Sequence, residues 1–155
     1  MAEQRWVFVV RALDKPGTLT AVAAVFSNRG VSLESILGSG IAMTTIENGR
    51  LILRFSATEA KQTLLRRALE RLSSVSRVKV YPYEDERLRA IAVAKLTSGA
   101  NLSELAATVD YDAIAQGETH KIVLFSGKTI AVDTAIAKLR QTHQLEDVVM
   151  SSITV

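Results

Sequence analysis

The pattern of hydrophobic and polar positions changes period in a fixed order along the first part of the chain. Residues 5–13 are rich in valine and aromatic side chains and predict a strand. Residues 18–29 then carry apolar side chains at helical spacing. These are Leu19, Val22, Ala23 and Phe26. Gly30 follows a cationic last turn and predicts the end of this helix.

The segment after this helix is expected to be extended. Over residues 31–45, Gly38 and Gly40 indicate a bulge or a close approach by another backbone. Asn48 and Gly49 both tolerate positive φ and predict a hairpin turn. A further strand is expected directly after this turn.

That strand, over residues 50–55, alternates apolar and polar side chains and leads into a second helix. Ser56 and Glu59 match a capping box at the start of this helix. The apolar stripe that follows consists of Leu65, Ala68, Leu69 and Leu72. A strand over residues 77–81 completes a βαββαβ order. This order predicts an α+β, ferredoxin-like unit with two helices on one face of a four-stranded antiparallel sheet.

Residues 82–87 (PYEDER) separate this unit from a second one. Their three consecutive acids, with no side chain that we expect to be buried, predict a solvated linker rather than a metal or acid/base cluster. After it the same order returns. Strands are expected over 88–96, 109–116, 121–125 and 148–155, and helices over 102–108 and 128–141. We therefore expect an N-terminal unit over 1–82, a linker over 83–87 and a C-terminal ferredoxin-like unit over 88–155.

The first strands of both units are apolar on two faces. A ferredoxin-like sheet carries helices on one face only. The strands over 6–13 and 90–96 therefore require something to cover their other face, within the chain or in a dimer.

The composition excludes several kinds of site. Of the 155 residues 48% are hydrophobic, which is typical of folded domains. Without cysteine the chain has no disulfide, thiolate zinc site, iron–sulfur cluster or thiol nucleophile. His120 and His143 are its two histidines, and both fall in predicted connections. We expect no cofactor and no metal, and the net charge of +3 does not by itself indicate an acidic partner.

Binding to membranes and nucleic acids is also not expected. No apolar run has the length and flanks of a signal peptide or approaches the roughly 18 residues of a membrane span, so we expect a cytoplasmic protein. RNA-recognition modules share the βαββαβ order but stack bases on aromatic side chains of their first and third strands. The third strand here has one, Phe55. RNA binding stays a distant alternative because of a basic cluster that comprises Arg66, Arg67, Arg71, Arg77 and Lys79.

The turn before the first helix carries the candidate binding chemistry. Pro16 fixes the backbone, and Gly17 removes the side chain where another molecule could approach. The free N–H groups of the helix that follows favour an anion such as an amino-acid carboxylate. Asp14 could accept hydrogen bonds from an α-ammonium group, and Ser32 of a second copy could add a hydroxyl. The alternative is that Asp14 caps the helix and that Pro-Gly merely makes a turn.

Residues 14–36 (DKPGTLTAVAAVFSNRGVSLESI) resemble the strand-turn-helix-strand signature of ACT domains, small ligand-binding regulatory modules. The whole chain is similar to the family of acetolactate synthase small subunits, in which an ACT domain precedes a divergent ferredoxin-like domain. The resemblance implies a regulatory subunit without catalytic activity. It also implies a homodimer through the ACT domains, a branched-chain amino acid bound where they meet, and a thiamine-diphosphate enzyme as the catalytic partner. An ACT sensor for a different enzyme, or one with a stand-alone role, is the alternative.

The resemblance further implies which residues bind the ligand. One protomer would contribute Asp14, Lys15, Pro16, Gly17, Thr18 and Leu19, and its neighbour Ser32 and Leu33. Family members to be compared have asparagine in place of Asp14 and of Ser32. Losing two hydrogen bonds of about 1 kcal/mol each would weaken binding about tenfold or more. The chain is thus expected to bind a different amino acid or to have a degenerate site.

Overall fold

The computed structural model describes residues 1–40 and 49–155. The chain divides into two compact units, one over residues 1–85 with 154–155 and one over residues 86–153. Each unit contains one four-stranded antiparallel sheet with the strand order of a ferredoxin-like fold, so the predicted fold class is confirmed. Within the described residues, no helix has the length and apolar character needed to cross a membrane.

The first unit has the predicted βαββαβ order. Its elements are β1 (Gln4–Ala12), α1 (Thr18–Ser27), β2 (Leu33–Gly40), β3 (Gly49–Ala57), α2 (Glu59–Glu70) and β4 (Val75–Pro82). The sheet order is β2-β3-β1-β4, with β1 paired to both β3 and β4. Both helices pack on one face of this sheet, where they share a core with every second side chain of β1 and β3. The opposite side of the sheet is called the helix-free face below.

Three phenylalanines join α1 to the sheet. The ring of Phe55 lies edge-on to those of Phe8 and Phe26, with centroids 4.7 and 5.0 Å away. Edge-to-face aromatic pairs add about 0.5–1.5 kcal/mol beyond the area that they bury. These contacts fix the position of α1, and therefore of the turn before it.

The buried stripe of α1 differs from the predicted one. Thr18, Val22, Val25 and Phe26 are its buried residues. Leu19, which the sequence places in the stripe, is 48% exposed. A stripe that begins at Thr18 fits helical spacing as well as one that begins at Leu19, so periodicity alone did not distinguish them. The predicted end of the helix is Arg29, and the helix ends at Ser27, two residues earlier. Gly30 has a φ of 65°.

The predicted extended segment over 31–45 is described as far as Gly40, and there it forms β2. Its residues 41–45, and Asn48 of the predicted hairpin turn, lie outside the described residues. The irregularity in strand pairing falls between Leu33 and Ser35 rather than at the glycines. The glycines instead allow close contacts, which are described with the candidate site.

The predicted capping box at Ser56 and Glu59 is wrong. The N-cap of α2 is Thr58, whose hydroxyl accepts a hydrogen bond from the Lys61 N–H at 3.2 Å. Ser56 is still part of β3 and donates a hydrogen bond to Glu34 at 2.6 Å. The strand continues two residues beyond the predicted end at Phe55, so the first residue free to cap the helix is Thr58.

The expectation that residues 82–87 contain nothing buried is also wrong. Tyr83 is fully buried. The Arg5 guanidinium lies 3.7 Å from the centroid of its ring, and the Tyr83 N–H donates to the Arg5 carbonyl at 3.1 Å. This cation–π contact joins two residues that are close in space but lie near the start and the end of the unit in sequence, so local composition could not reveal it. Tyr83 is therefore a buried residue that lies outside the helix-side core of the first unit.

The second unit repeats the strand order with one helix fewer. Its elements are β5 (Arg89–Thr97), β6 (Asp110–Gln116), β7 (His120–Lys128), α3 (Thr129–Gln141) and β8 (Leu145–Ile153). The sheet order is β6-β7-β5-β8. His120, predicted in a connection, is the first residue of β7, whereas His143 lies in the connection after α3 with a φ of 57°.

The helix predicted over residues 102–108 is absent from the second unit. Turns occupy residues 103–108, and Leu102, Leu105 and Val109 are buried against the sheet. Three of the four β5 side chains in this core are small, namely Ala90, Ala92 and Ala94, and the fourth is Leu96. By strand register, Ala92 and Ala94 take the positions that Trp6 and Phe8 have on β1. A shallow turn segment is therefore enough to cover this sheet.

The outer sides of the two sheets also differ. In the first unit, Val7 and Val9 of the helix-free face are buried. In the second unit, Ile91 is partly exposed and Val149 is 73% exposed. The expectation that something covers this side of the second sheet stays a prediction.

Candidate functional site

The turn predicted to bind a ligand connects the end of β1 to α1. The Leu13 N–H donates to the Ser74 carbonyl at 2.8 Å, which ties the end of the strand to the segment before β4. Gly17 is the N-cap of α1 with a φ of 89°, and no side chain caps this helix. The alternative that Asp14 caps the helix is therefore wrong. The Thr18 N–H donates to the Lys15 carbonyl at 3.3 Å. No side chain accepts from the N–H groups of the first turn, which lie at the positive end of the helix dipole.

A cavity of about 210 Å³ opens beside this turn. One wall is the end of β1 and the start of α1, with Asp14, Lys15, Thr18 and Leu19. The other is the facing part of β2 and β3, with Gly38, Ser39, Gly40, Gly49 and Arg50. Clefts for drug-sized ligands measure roughly 300–1,000 Å³, so this cavity suits a smaller molecule.

Two glycines make room for the end of β1. A Cβ atom on Gly40 would lie 2.7 Å from the Asp14 carboxylate oxygen Oδ2, and one on Gly49 would lie 2.7 Å from the Ala12 carbonyl oxygen. Side chains at these positions would displace Asp14 or the backbone. The sequence indicated a close backbone approach at Gly40 but did not connect it to Asp14 or to the candidate site.

Thr18 places a buried hydroxyl at the cavity. The residue is 7% exposed, and its Oγ1 has no hydrogen-bond partner among the described residues. An unsatisfied buried hydroxyl costs about 1–3 kcal/mol. A ligand in the cavity could supply the missing partner. The side chain of Leu19 lies outside the core and presents an apolar surface to the same cavity.

The structure brings together only part of the predicted site. Asp14, Lys15, Thr18 and Leu19 line the cavity. Pro16 and Gly17 shape the turn without lining it. The lining residues on β2 and β3, among them Arg50, were missed because the strands that carry them are distant from the turn in sequence.

Ser32 and Leu33 lie away from the cavity in this protomer. Leu33 begins β2, Ser32 precedes it, and the part of the strand that lines the cavity is its other end, Gly38 to Gly40. A single protomer therefore does not bring the two parts of the predicted site together.

The charged groups of the second unit form local pairs rather than a catalytic cluster. His120 Nε2 lies 2.7 Å from the Glu146 carboxylate, which also lies 3.7 Å from Lys95 Nζ. Lys138 donates to Glu104 at 2.7 Å, and this hydrogen bond lowers the pKa of the Glu104 carboxyl. Across residues 1–40 and 49–155, no group of three or more histidine, aspartate or glutamate side chains could hold a metal ion.

The aromatic side chains of β1 and β3 point away from the surface that RNA-recognition modules use. Trp6, Phe8 and Phe55 all lie in the core on the helix side. The helix-free positions of these strands carry valine, isoleucine and polar or charged residues. These two strands therefore offer no aromatic platform for bases.

No family model matches the chain, and no curated protein is similar to it in sequence. Among solved structures, the acetolactate synthase small subunit from Thermotoga maritima is 20% identical and has a TM-score of 0.70, over 100% of this chain and 98% of that one. The chain has the fold of that subunit.

A regulatory subunit of aspartate kinase from Thermus thermophilus is also similar. It is 15% identical with a TM-score of 0.46, over 90% of this chain and 95% of that one. The likeness to the Thermotoga maritima subunit confirms the predicted two-part fold.

Proposed function

We propose that this chain is a non-catalytic regulatory subunit that binds a small amino acid at the cavity beside residues 14–19 and modulates an acetolactate synthase. The observation that carries the proposal is the buried Thr18 hydroxyl, which has no partner among the described residues and lies at a cavity of metabolite size. The shared fold with an acetolactate synthase small subunit supports the regulatory role and the choice of enzyme.

The groups around the cavity match the parts of an α-amino acid. The Asp14 carboxylate suits an α-ammonium group, and the uncapped N–H groups at the start of α1 suit a carboxylate. Thr18 Oγ1 can donate to or accept from either group. Leu19 and the small volume favour a short apolar side chain on the ligand. A small apolar amino acid fits this combination, either a branched-chain one or, because Asp14 and Ser32 replace asparagines, a different one.

Pairing of two protomers through β2 would complete the site. β2 is an edge strand of its sheet, so one side of its backbone is open to another strand. If β2 pairs antiparallel with its own copy about the strand centre, Leu33 of one protomer lies opposite Gly40 of the other. The partner's Ser32 and Leu33 would then lie beside the cavity, and the homodimer would be the binding unit.

The ligand is tested by thermal unfolding of the full chain with each of the twenty amino acids. A ligand present at 100 times its dissociation constant raises the unfolding free energy by about 2.7 kcal/mol. We expect a rise in the melting temperature with one or a few small apolar amino acids and none with their D-enantiomers. No rise with any amino acid would contradict binding at this cavity.

The partner is tested separately. The chain is mixed with the acetolactate synthase catalytic subunit of the same organism, and activity is measured with and without the amino acid found above. We expect a complex on size-exclusion chromatography and an activity that depends on the amino acid. Amino-acid binding without any effect on the synthase would contradict the choice of enzyme. It would not contradict the proposed binding site.

A further inference from the structure

We propose that the helix-free face of the first sheet holds a second ligand site, in which Arg11, Arg50 and Arg77 bind a polyvalent oxyanion. This arginine row lies across three neighbouring strands. Arg50 also lines the cavity beside residues 14–19, so the two sites share one residue, but the inference depends neither on amino-acid binding there nor on the choice of enzyme.

The register of the sheet brings the three arginines together. Arg11 on β1 lies directly opposite Arg50 on β3 and directly opposite Arg77 on β4. The residues next to them in sequence, including Val10 and Leu51, belong to the core on the helix side. Because side chains alternate along a strand, all three arginines lie on the helix-free face.

The spacing suits one anion of a few ångströms across. Directly opposed residues of antiparallel strands have Cβ atoms about 4.5–5.5 Å apart. Three guanidinium groups on adjacent strands can therefore converge on one ligand. Lys79, opposite Val9 on the same face, adds a fourth positive charge nearby.

The positive charge of the arginine row is not balanced by the described part of the chain. None of the three arginines has an ion pair with a carboxylate of the described residues, and Arg50 Nε, like Arg54 Nε on the same strand, is buried there without a hydrogen-bond partner. Residues 41–48 contain a single acid, Glu47, against three arginines. Like charges directly opposite one another destabilise a sheet. An anion with two or more negative charges would remove this repulsion.

Two other arginines on the helix-free face, Arg54 and Arg5, have partners. Arg54, two residues along β3 from Ile52 and four from Arg50, has its Nε 3.4 Å from the Glu34 carboxylate. Arg5 lies over the Tyr83 ring. Arginines without a ligand to bind are thus neutralised or stacked on this sheet. Among the described residues, the arginine row and the neighbouring Lys79 carry the charges of this face that no carboxylate or ring offsets.

The chemistry of the side chain identifies the class of ligand. A guanidinium group presents paired N–H donors that match phosphate and carboxylate oxygens. Three of them favour a molecule with two or more phosphoryl or carboxyl groups over a monovalent ion. Inorganic pyrophosphate is the phosphoryl probe, and citrate is the carboxylate probe.

Isothermal titration of the full chain with both probes, at constant ionic strength set by sodium chloride, tests the site. We expect saturable binding of at least one probe, with pyrophosphate the tighter if the natural ligand is phosphorylated and citrate the tighter if it is a polycarboxylate. Arg11→Gln and Arg77→Gln, neither of which lines the amino-acid cavity, should each weaken binding about tenfold. Arg66→Gln, an exposed arginine paired with Glu70 on α2, is the matched control and should leave affinity unchanged.

A second measurement guards against loss of folding. Because each of these two substitutions removes like-charge repulsion, the unliganded variants should unfold at the same temperature as the wild type or higher. Equal affinity of the wild type and both variants for the probes would overturn the proposal. It would also be overturned if neither probe bound the wild type more tightly than chloride does. Tighter retention of single-stranded RNA than of either probe, lost in the same variants, would overturn it in favour of nucleic-acid binding.

Discussion

The two units share a strand order but differ at the position that follows their first strand. In the first unit a helix begins there, and its Thr18 hydroxyl and the glycines of β2 and β3 border a cavity. In the second unit a shallow turn segment packs Leu102 and Leu105 onto small alanine side chains of β5. The shared topology therefore does not create the site. The site is created by local features, namely a helix start without a side-chain cap, two glycines and one buried hydroxyl.

The helix-free faces differ as strongly. That of the first sheet carries three arginines in register, whereas that of the second exposes Val149 and Ile91. We infer that the first unit binds small ligands and that the second is suited to apolar contacts with other protein surfaces. The predictions below test this division of roles.

The largest expected effect concerns the two cores. Phe55→Ala removes a ring that contacts two other phenylalanines and should lower the unfolding free energy by about 3–5 kcal/mol. Phe125→Ala should have a smaller effect, since among the described residues the ring of Phe125 pairs with one other ring, that of Tyr111, at 6.3 Å. Circular dichroism during urea unfolding measures the loss for both variants, and the fluorescence of the single tryptophan, Trp6, reports the first unit separately. A larger loss for Phe125→Ala would contradict this ranking.

A smaller effect is expected from adding a methyl group to glycine. In Gly49→Ala the new Cβ meets the Ala12 carbonyl oxygen, so overpacking should destabilise the chain by about 1–3 kcal/mol. Gly99→Ala in the second unit meets nothing within 4 Å and serves as the control. Thermal unfolding compares the two variants. Equal melting temperatures would show that the end of β1 does not need the space above Gly49.

Gly40→Ala should affect the ligand more than the fold. Its Cβ would meet the flexible end of the Asp14 side chain rather than backbone, so the carboxylate can move aside. We expect weaker amino-acid binding, by about tenfold, with a small change in melting temperature. Calorimetric titration with the amino acid found in the screen measures this. Unchanged affinity would remove Asp14 from the ligand contacts.

The smallest effect is expected at the exposed ion pair of the second unit. The hydrogen bond from Lys138, and secondarily its charge, lower the pKa of Glu104. Since the folded-state pKa is lowered, the pair stabilises the fold above the unfolded pKa of the carboxyl, and this contribution is lost as the pH falls. In Lys138→Gln the Glu104 pKa, followed by NMR, should rise toward its ordinary value with little change in stability. A pKa that does not move would exclude Lys138 as the cause.

The sequence predicted the order of the strands well because hydrophobic period and turn residues are local signals. It predicted the turn over residues 14–19 for the same reason. It failed where packing between distant segments decides the outcome: Leu19 faces the cavity because Thr18 takes the core position, and Tyr83 is buried with Arg5, distant in sequence, over its ring. The arginine row is set by strand register, which no short segment of sequence specifies.

The most direct test of the account compares two threonines that differ mainly in their surroundings. Thr18 and Thr129 each begin a helix, and each has a buried hydroxyl without a partner among the described residues, but only Thr18 lines the cavity beside residues 14–19. Replacement by valine keeps the shape of the side chain and removes the hydroxyl.

Amino-acid affinity is therefore measured by titration calorimetry for Thr18→Val and Thr129→Val beside the wild type. We predict that Thr18→Val weakens binding about tenfold or more while its unliganded form is as stable as the wild type, and that Thr129→Val binds normally. Equal affinity of all three proteins would contradict the claim that the Thr18 hydroxyl holds the ligand.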